Sequence, residues 1–187
     1  MKNAVVGVTG GIAAYKAPLL VRALMRRGYE VRVVMTESAA RFVGPVTFTG
    51  LTGRPPVTDL WDPSYAGEGH VERAGWADVM VVAPAPSHVI ARAAQGLADD
   101  ALTATLLCWD GPTVYAPAMH HRMWASPATA RNVAHLAEAG ASFAGPVSGP
   151  LASGESGMGR MAEPEDIADV VEAATVARDL AGRTLLV

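Results

Sequence analysis

Residues Ala4–Val8 form a continuous apolar run that stops at Thr9-Gly10-Gly11 and gives way at once to a helix-like stretch. A run of this kind has no polar side to offer water. It therefore predicts a strand covered on both faces, the mark of a parallel sheet between two layers of helices. From about Ile12 to Arg27, Leu19, Leu20, Ala23 and Leu24 recur at helical spacing, and Gly28 is a suitable stop. Val31–Met35 is the next apolar strand. Strand, glycine turn, helix and strand make a βαβ unit, whose crossover is right-handed.

The alternation continues. Thr36 or Ser38 can cap a short helix at Ala39–Phe42, and Pro45–Gly53 reads as a second short helix or extended segment. Arg54-Pro55-Pro56 must be irregular, because neither proline fits a helix interior or a central strand. Asp62–Gly69 is a loop ahead of an amphipathic turn at Val71–Trp76. Asp78–Ala83 is the clearest central strand, followed by a helix at Val89–Ala94 with Ser87 as its cap. Asp99 and Asp100 open a helix at Ala101–Cys108, where carboxylates complement the positive end of the helix dipole. Pro112–Ala116 is a strand, Pro127–Ala139 a helix and Ala141–Phe143 an edge strand. Glu163–Asp166 starts a last helix that runs to about Asp179. The predicted fold is a doubly wound α/β domain, Rossmann-like or flavodoxin-like, with a parallel sheet of about six strands and helices on both faces.

Length and charge narrow the function classes. A chain of 187 residues, half of them apolar and only 18% charged, suits one domain with a buried sheet, or an oligomer with large apolar contacts. The net charge of −3, without a Lys/Arg run, gives no case for nucleic acid. No signal-peptide pattern and no apolar run of membrane-spanning length is present. The single cysteine, Cys108, rules out an internal disulfide and fits a reducing cytoplasm, where it is expected to be a small buried hydrophobe. No metal is expected.

In doubly wound folds, ligands sit outside the carboxyl ends of the strands. The loops at 9–11, 36–38, 84–88 and 117–124 all follow strands and so converge. Thr9-Gly10-Gly11 either presents backbone amides and a helix N-terminus to phosphate or is a tight turn that needs glycine for its angles. It is neither a G-x-G-x-x-G turn nor a Walker loop. The turn Pro117-Ala118-Met119-His120-His121-Arg122-Met123-Trp124 is far richer in aromatic and titratable side chains than ordinary surface loops, which fits a binding site or a cap on the core. His70, where a loop meets a helix start, has access to a ligand or merely begins the helix. Gly145–Arg160, rich in Gly and Ser and without periodicity, is a functional flap or a disordered linker.

Together these segments resemble the flavin-dependent cysteine decarboxylases, which include phosphopantothenoylcysteine decarboxylase and the decarboxylases of peptide C-terminal cysteines. The resemblance covers nearly the whole chain. It lies in Gly10–Lys16, Met35–Ala39 with Phe42, His70-Val71 with the Ala77-Asp78 strand, Val82–Ala85, Ala98–Asp100, Pro117–Met119 and Gly154–Met161. It implies bound FMN, a homotrimer or a dodecamer of trimers, and a flavin pocket shared between subunits. Flavin contacts are implied for Thr9, Gly10, Gly11, Ile12 and Ala13, for Thr36, Ser38 and Phe42, for Ala85, Ser87 and His88, for Asp99 and Asp100, and for Ala118 and Met119. Substrate contacts are implied for Met123, Arg160 and Met161, and catalytic roles for His70, His120 and Ser153. The implied chemistry is oxidation of a cysteinyl thiol to a thioaldehyde, then loss of carbon dioxide to an enethiol. In the coenzyme A enzyme a flap cysteine then gives a proton while hydride returns from the flavin. His70 would move a proton or orient the thiol.

Three positions depart from the family pattern. Its Pro-Ala-Met-Asn reads Pro117-Ala118-Met119-His120, placing an imidazole where an amide contacts flavin and substrate carboxylate. Its Ala-Cys-Gly reads Ala152-Ser153-Gly154, and a hydroxyl is a poor proton donor beside a thiol. Its Thr-Ala-Asn-Thr reads Pro86-Ser87-His88-Val89. Three readings follow, in this order: a phosphopantothenoylcysteine decarboxylase domain with an altered site, an FMN enzyme for another thiol such as a peptide cysteine, and a non-catalytic flavoprotein. Asp179–Val187 is similar to the start of the synthetase half of bifunctional coenzyme A biosynthesis proteins, so 1–178 is expected to be the flavoprotein domain and 179–187 a linker or the start of a following domain.

Overall fold

The computed structural model describes residues 2–62 and 69–176. The chain begins with β1 (Lys2–Val8), whose last five residues are all buried. A single 3-10 stretch, Ile12–Lys16, leads into α1 (Ala17–Arg26). The sequence predicts one helix over this span. It divides because Pro18 has no N–H and its ring crowds the carbonyl four residues back, so proline is accommodated only in the first turn of α1. Then follow β2 (Tyr29–Met35), α2 (Glu37–Ala40), α3 (Pro45–Thr52), α4 (Gly69–Trp76), β3 (Val79–Ala85), α5 (Ser87–Gln95) and α6 (Ala101–Leu107). The chain continues through β4 (Thr113–Pro117), α7 (His121–Trp124), α8 (Pro127–Glu138), β5 (Ser142–Phe143), β6 (Val147–Pro150), β7 (Ser156–Arg160) and α9 (Pro164–Thr175).

The main sheet is parallel with strand order β2-β1-β3-β4-β5, the flavodoxin-like order. Among the described residues it has five strands, close to the expected six. The remaining strands, β6 and β7, pair only with each other as an antiparallel hairpin. That hairpin occupies Gly145–Arg160, where neither alternation nor β-branched residues announce a strand. Each apolar strand feeds two cores, as continuous hydrophobic runs require. Ala4, Val6 and Val8 pack with Leu20, Leu24, Phe48, Ile167 and Val171, so α1, α3 and α9 cover one face. Val5, Met80 and Val82 pack with Ile90, Leu102 and Leu136, so α5, α6 and α8 cover the other. An ion-pair network fastens α1 to α9. Arg27 reaches Asp169 at 2.6 Å and Glu165 at 3.2 Å, and Arg26 also pairs with Glu165.

Some local expectations shift. Thr36 rather than Ser38 caps α2, its hydroxyl accepting from the Ala39 amide at 3.2 Å. Pro86, not Ser87, is the N-cap of α5, and Ser87 is the first helical residue. Cys108 is exposed at the end of α6 instead of buried, because the helix turns residues 101–105 inward and leaves its C-terminus at the surface. Residues 63–68 of the expected loop, the end of the last helix beyond 176 and the tail 179–187 lie outside the described residues. No helix among the described residues is long and apolar enough to cross a membrane.

Candidate functional site

The chain winds from β1 outward to β2 on one side and across to β3 on the other, so the carboxyl ends of β1 and β3 flank the switch point of the sheet. Thr9 closes β1 there, fully buried, and its hydroxyl donates to the Pro84 carbonyl at 2.7 Å. Gly10 lies tight against the second strand-end loop. A Cβ at this position would sit 2.5 Å from Ser38 Cβ, so only glycine fits. Gly11 has φ 155° and ψ 159°, a region that side chains rarely adopt, and no heavy atom lies within 4 Å of where its Cβ would be. The first helical bond runs from the Ala14 amide to the Gly11 carbonyl at 2.9 Å. Amides ahead of that bond have no acceptor within the helix, an arrangement suited to an anion.

Beside the turn lies a cavity of about 340 Å³. Its walls are Gly11–Ala13 with Tyr15 and Lys16, the turn Ala118–His120, and the hairpin residues Pro150–Ser153 and Gly159–Met161. Backbone bonds lock these walls together. The Ala118 amide donates to the Ala85 carbonyl at 3.2 Å, and the Met119 amide to the Gly159 carbonyl at 3.0 Å. The hairpin approaches this closely because its inner strand is bare. A Cβ on Gly159 would sit 2.1 Å from the Met119 carbonyl oxygen, and one on Gly157 would sit 2.9 Å from His121 Cβ. Two glycines at a spacing of two on one strand face were the sequence signal for this docking.

Two polar groupings flank the cavity. Lys16 is buried, and its ammonium donates to the Met161 carbonyl at 3.2 Å and to Glu163 Oε1 at 2.9 Å. Arg160 pairs with the same carboxylate oxygen at 2.5 Å. The hydrogen bond from Lys16, more than any other influence, holds the Glu163 carboxyl below its ordinary value. At the hairpin tip, His120 Nε2 is 2.5 Å from Glu155 Oε2, Arg122 Nη2 is 3.4 Å from Glu155 Oε1, and the Ser153 hydroxyl is 3.4 Å from Glu155 Oε2. The contact with His120 is the main cause that lowers the Glu155 carboxyl. Glu155, Lys16, Gly157 and Gly159 were not singled out from sequence as site residues.

The remaining residues divide by position. Ile12, Ala13, Ala118, Met119, His120, Ser153, Arg160 and Met161 line the cavity together with Gly11, although the Met161 side chain itself is fully buried in the core. Ser38 abuts Gly10, and Thr36 is occupied as a cap. Phe42 and Met123 are about half exposed. Ala85 is buried at the end of β3, with Ser87 and His88 opening α5. Partial burial, then the Arg92 charge, lowers the His88 imidazole from its ordinary value. Asp99 and Asp100 both face Arg92, at 2.9 and 3.3 Å, and Asp100 accepts from the Thr103 amide at 2.8 Å in a capping box. His70 is not in this cavity. It lines a separate cleft of about 440 Å³ with Trp61, Asp62, Arg73 and Cys108.

Comparison with known proteins places this geometry in context. The Flavoprotein family profile matches residues 1–176. The coenzyme A biosynthesis bifunctional protein CoaBC of Mycobacterium bovis is 48% identical over an alignment of 191 positions that spans all of this chain and 46% of the relative. CoaBC of Vibrio parahaemolyticus is 41% identical over 187 positions, covering all of this chain and 47% of that protein. The chain thus spans about half the length of these relatives. Among solved structures, a cysteine-to-serine mutant of a PPC decarboxylase, complexed with pantothenoylaminoethenethiol, superposes with a TM-score of 0.81 at 32% identity, covering 92% of this chain and 97% of that one. The FMN-dependent cysteine decarboxylase SpaF superposes with a TM-score of 0.80 at 36% identity, covering 94% and 95%.

Proposed function

This chain belongs to the Flavoprotein family, and we propose that it binds FMN and decarboxylates a cysteinyl substrate of the 4'-phosphopantothenoylcysteine type, in coenzyme A biosynthesis. The observation that carries the reading is the convergence of the glycine turn at 11–13, the turn at 118–120 and the hairpin residues 150–153 and 159–161 on one cavity. The residues fit the cofactor. The amides after Gly10, which precede the first helical bond, suit its phosphate, and the open space at Gly11 lets a ligand approach the backbone. Bound FMN would supply the two-electron oxidation of thiol to thioaldehyde, and the protein supplies position and electrostatics. His120, held by Glu155, would orient the substrate carboxylate that is lost as carbon dioxide. The hairpin would cover the reacting carbon and keep water away.

A homotrimer, or a dodecamer of trimers, belongs to the same reading. His70 opens onto a cleft of its own, so its catalytic role requires that a second copy bring it to the cavity. Ile12, Tyr15 and Phe42 leave 65%, 61% and 51% of their surfaces exposed beside the cofactor turn, and a neighbouring copy would cover them. Residues 1–178 would form the decarboxylase-like domain of a cytoplasmic protein, with 179–187 a linker or the start of a synthetase domain. Ser153 favours a second reading, in which the reaction stops at the enethiol, as for a peptidyl-cysteine oxidative decarboxylase. The PPC decarboxylase that holds an aminoethenethiol is itself a cysteine-to-serine mutant.

The test is single-turnover mixing of the purified flavin-loaded protein with 4'-phosphopantothenoylcysteine. Carbon dioxide release with bleaching of the flavin is expected. Absence of both overturns the reading.

A further inference from the structure

His120, His121 and Glu155 each point a potential ligand atom into one small space. His120 Nε2 is 2.5 Å and His121 Nδ1 is 3.9 Å from the same Glu155 Oε2, and the three ligand atoms lie within 4.8 Å of one another. His121 Nδ1 is buried and has no hydrogen-bond partner. A buried ring nitrogen left without a partner is uncommon and needs an explanation. The His120 and His121 rings stand 4.3 Å apart and tilted by 36°, as neighbours rather than stacked planes.

We propose that His120, His121 and Glu155 form a binding site for a divalent cation of the zinc class. Two imidazoles and one carboxylate are a recognised set for Zn²⁺, and such three-ligand sites leave a fourth position for water or an incoming ligand. Ligand distances of about 2.0–2.2 Å around Zn²⁺ bring donor atoms to within roughly 3–3.5 Å of each other. Insertion therefore requires the short His120–Glu155 contact to open, the His121–Glu155 gap to close, and His120 to give up the bond that its Nδ1 accepts from the Arg122 amide at 3.2 Å, because an imidazole that ligates through Nε2 carries its proton on Nδ1. Imidazole nitrogen selects such an ion over Mg²⁺ or Ca²⁺, which prefer oxygen.

The ligands come from two separate pieces of chain. The histidines belong to the turn at 117–124, and Glu155 to the tip between β6 and β7. A bound cation would thus bridge the hairpin to the turn at the rim of the cavity that His120 and Ser153 line. The fourth position would be open to water or to a thiolate entering that cavity. The spacing of 34 residues between His121 and Glu155 hides this set from any sequence motif.

The site rests on side-chain geometry and not on FMN or on the decarboxylase reading. Isothermal titration of the chelator-treated, flavin-loaded protein with ZnCl2 should give one Zn²⁺ per chain. His121→Ala and Glu155→Gln should each weaken binding by about a hundredfold or more, and Arg122→Ala, which removes a charge beside Glu155 but no ligand, should leave it within about threefold. Co²⁺ should show ligand-field absorption of a low-coordinate site in the wild type and lose it in both ligand variants. Zn²⁺ should also slow proteolysis of the hairpin in the wild type. Absence of saturable Zn²⁺ binding by the wild type overturns the site, as does wild-type affinity in either ligand variant when circular dichroism shows it folded. Failure of carbon dioxide release alone leaves these readouts untouched and bears only on the catalytic reading.

Discussion

Lys16 Nζ lies 2.9 Å from Glu163 Oε1 across 147 residues of chain, joining the 3-10 stretch Ile12–Lys16 to the residue that caps α9. The two partners are unlike in setting. The lysine side chain is 6% exposed and the glutamate 50%. Removing the lysine leaves a carboxylate that water and Arg160 can serve. Removing the glutamate leaves a buried ammonium with only the Met161 carbonyl. Breaking a fully buried pair costs about 3–5 kcal/mol, and half-exposure of one partner reduces this. Glu163→Ala should therefore destabilise by about 2 kcal/mol and Lys16→Met by about 1 kcal/mol. Urea unfolding of both variants checks the order, and a larger loss in Lys16→Met contradicts it.

The same pair gives a pH dependence with a definite sign. The Glu163 carboxyl is held below its ordinary value of 4.5, first by the hydrogen bond from Lys16. A depressed carboxyl binds protons more weakly in the folded than in the unfolded chain. Its stabilisation is complete above the unfolded value and disappears as pH falls through the folded one. The stability difference between wild type and Lys16→Met should be constant from pH 7 to about 5 and shrink below about 4.5. Urea midpoints across that range test it, and a difference that grows in acid contradicts it.

The parallel architecture was legible because runs such as Ala4–Val8 and Asp78–Ala83 carry their own burial, and glycine and proline mark most helix ends. The hairpin was not. Its strands Val-Ser-Gly-Pro and Ser-Gly-Met-Gly-Arg are chosen for close approach to Met119 and His121 rather than for strand propensity. Of the four loops expected to converge, those at 9–11 and 117–124 reach the cavity, whereas none of 36–38 or 84–88 lines it. The pairings of Lys16 with Glu163 and of His120 with Glu155 were not legible, because they join residues 147 and 35 positions apart. Asp99 and Asp100 illustrate the other limit. An adjacent acid pair can hold a cofactor or cap a helix, and here both carboxylates are engaged by Arg92 and α6.

Gly159 offers a direct test of the docking of hairpin and turn. A methyl group there meets the Met119 carbonyl at 2.1 Å, so backbone must move. Gly159→Ala should cost about 1–3 kcal/mol of stability and weaken FMN binding at least tenfold. Gly154, with φ 84° and open space around its Cβ position, is the control. Gly154→Ala should cost about 1–2 kcal/mol from backbone strain alone and leave FMN affinity within about threefold. Equal loss of FMN in the two variants would show that the hairpin does not shape the flavin site.

His120→Asn replaces an imidazole paired with Glu155 by the amide of the family pattern. If His120 stands at the flavin and substrate, the visible flavin spectrum should shift and turnover should rise by about tenfold, equivalent to ~1.4 kcal/mol or one good hydrogen bond to the transition state. Stopped-flow reduction of the bound flavin measures both. An unchanged spectrum with unchanged turnover removes His120 from the active site.

Ser153→Cys addresses the outcome of the reaction rather than its rate. Ser153 lines the cavity and its hydroxyl is 3.4 Å from Glu155 Oε2, so a thiol placed there is next to a carboxylate. A thiol loses its proton many orders of magnitude more readily than a hydroxyl, with a pKa of about 8.5 for cysteine. It can therefore protonate the carbon of an enethiol where serine cannot. The wild type should release carbon dioxide and accumulate the enethiol with the flavin left reduced. Ser153→Cys should convert the same substrate to the saturated thiol and return the flavin to its oxidised form without oxygen. Mass spectrometry separates the products by two hydrogens, and anaerobic flavin absorbance follows the reoxidation. A wild type that already gives the saturated thiol would mean that another group, not the residue at 153, delivers the proton.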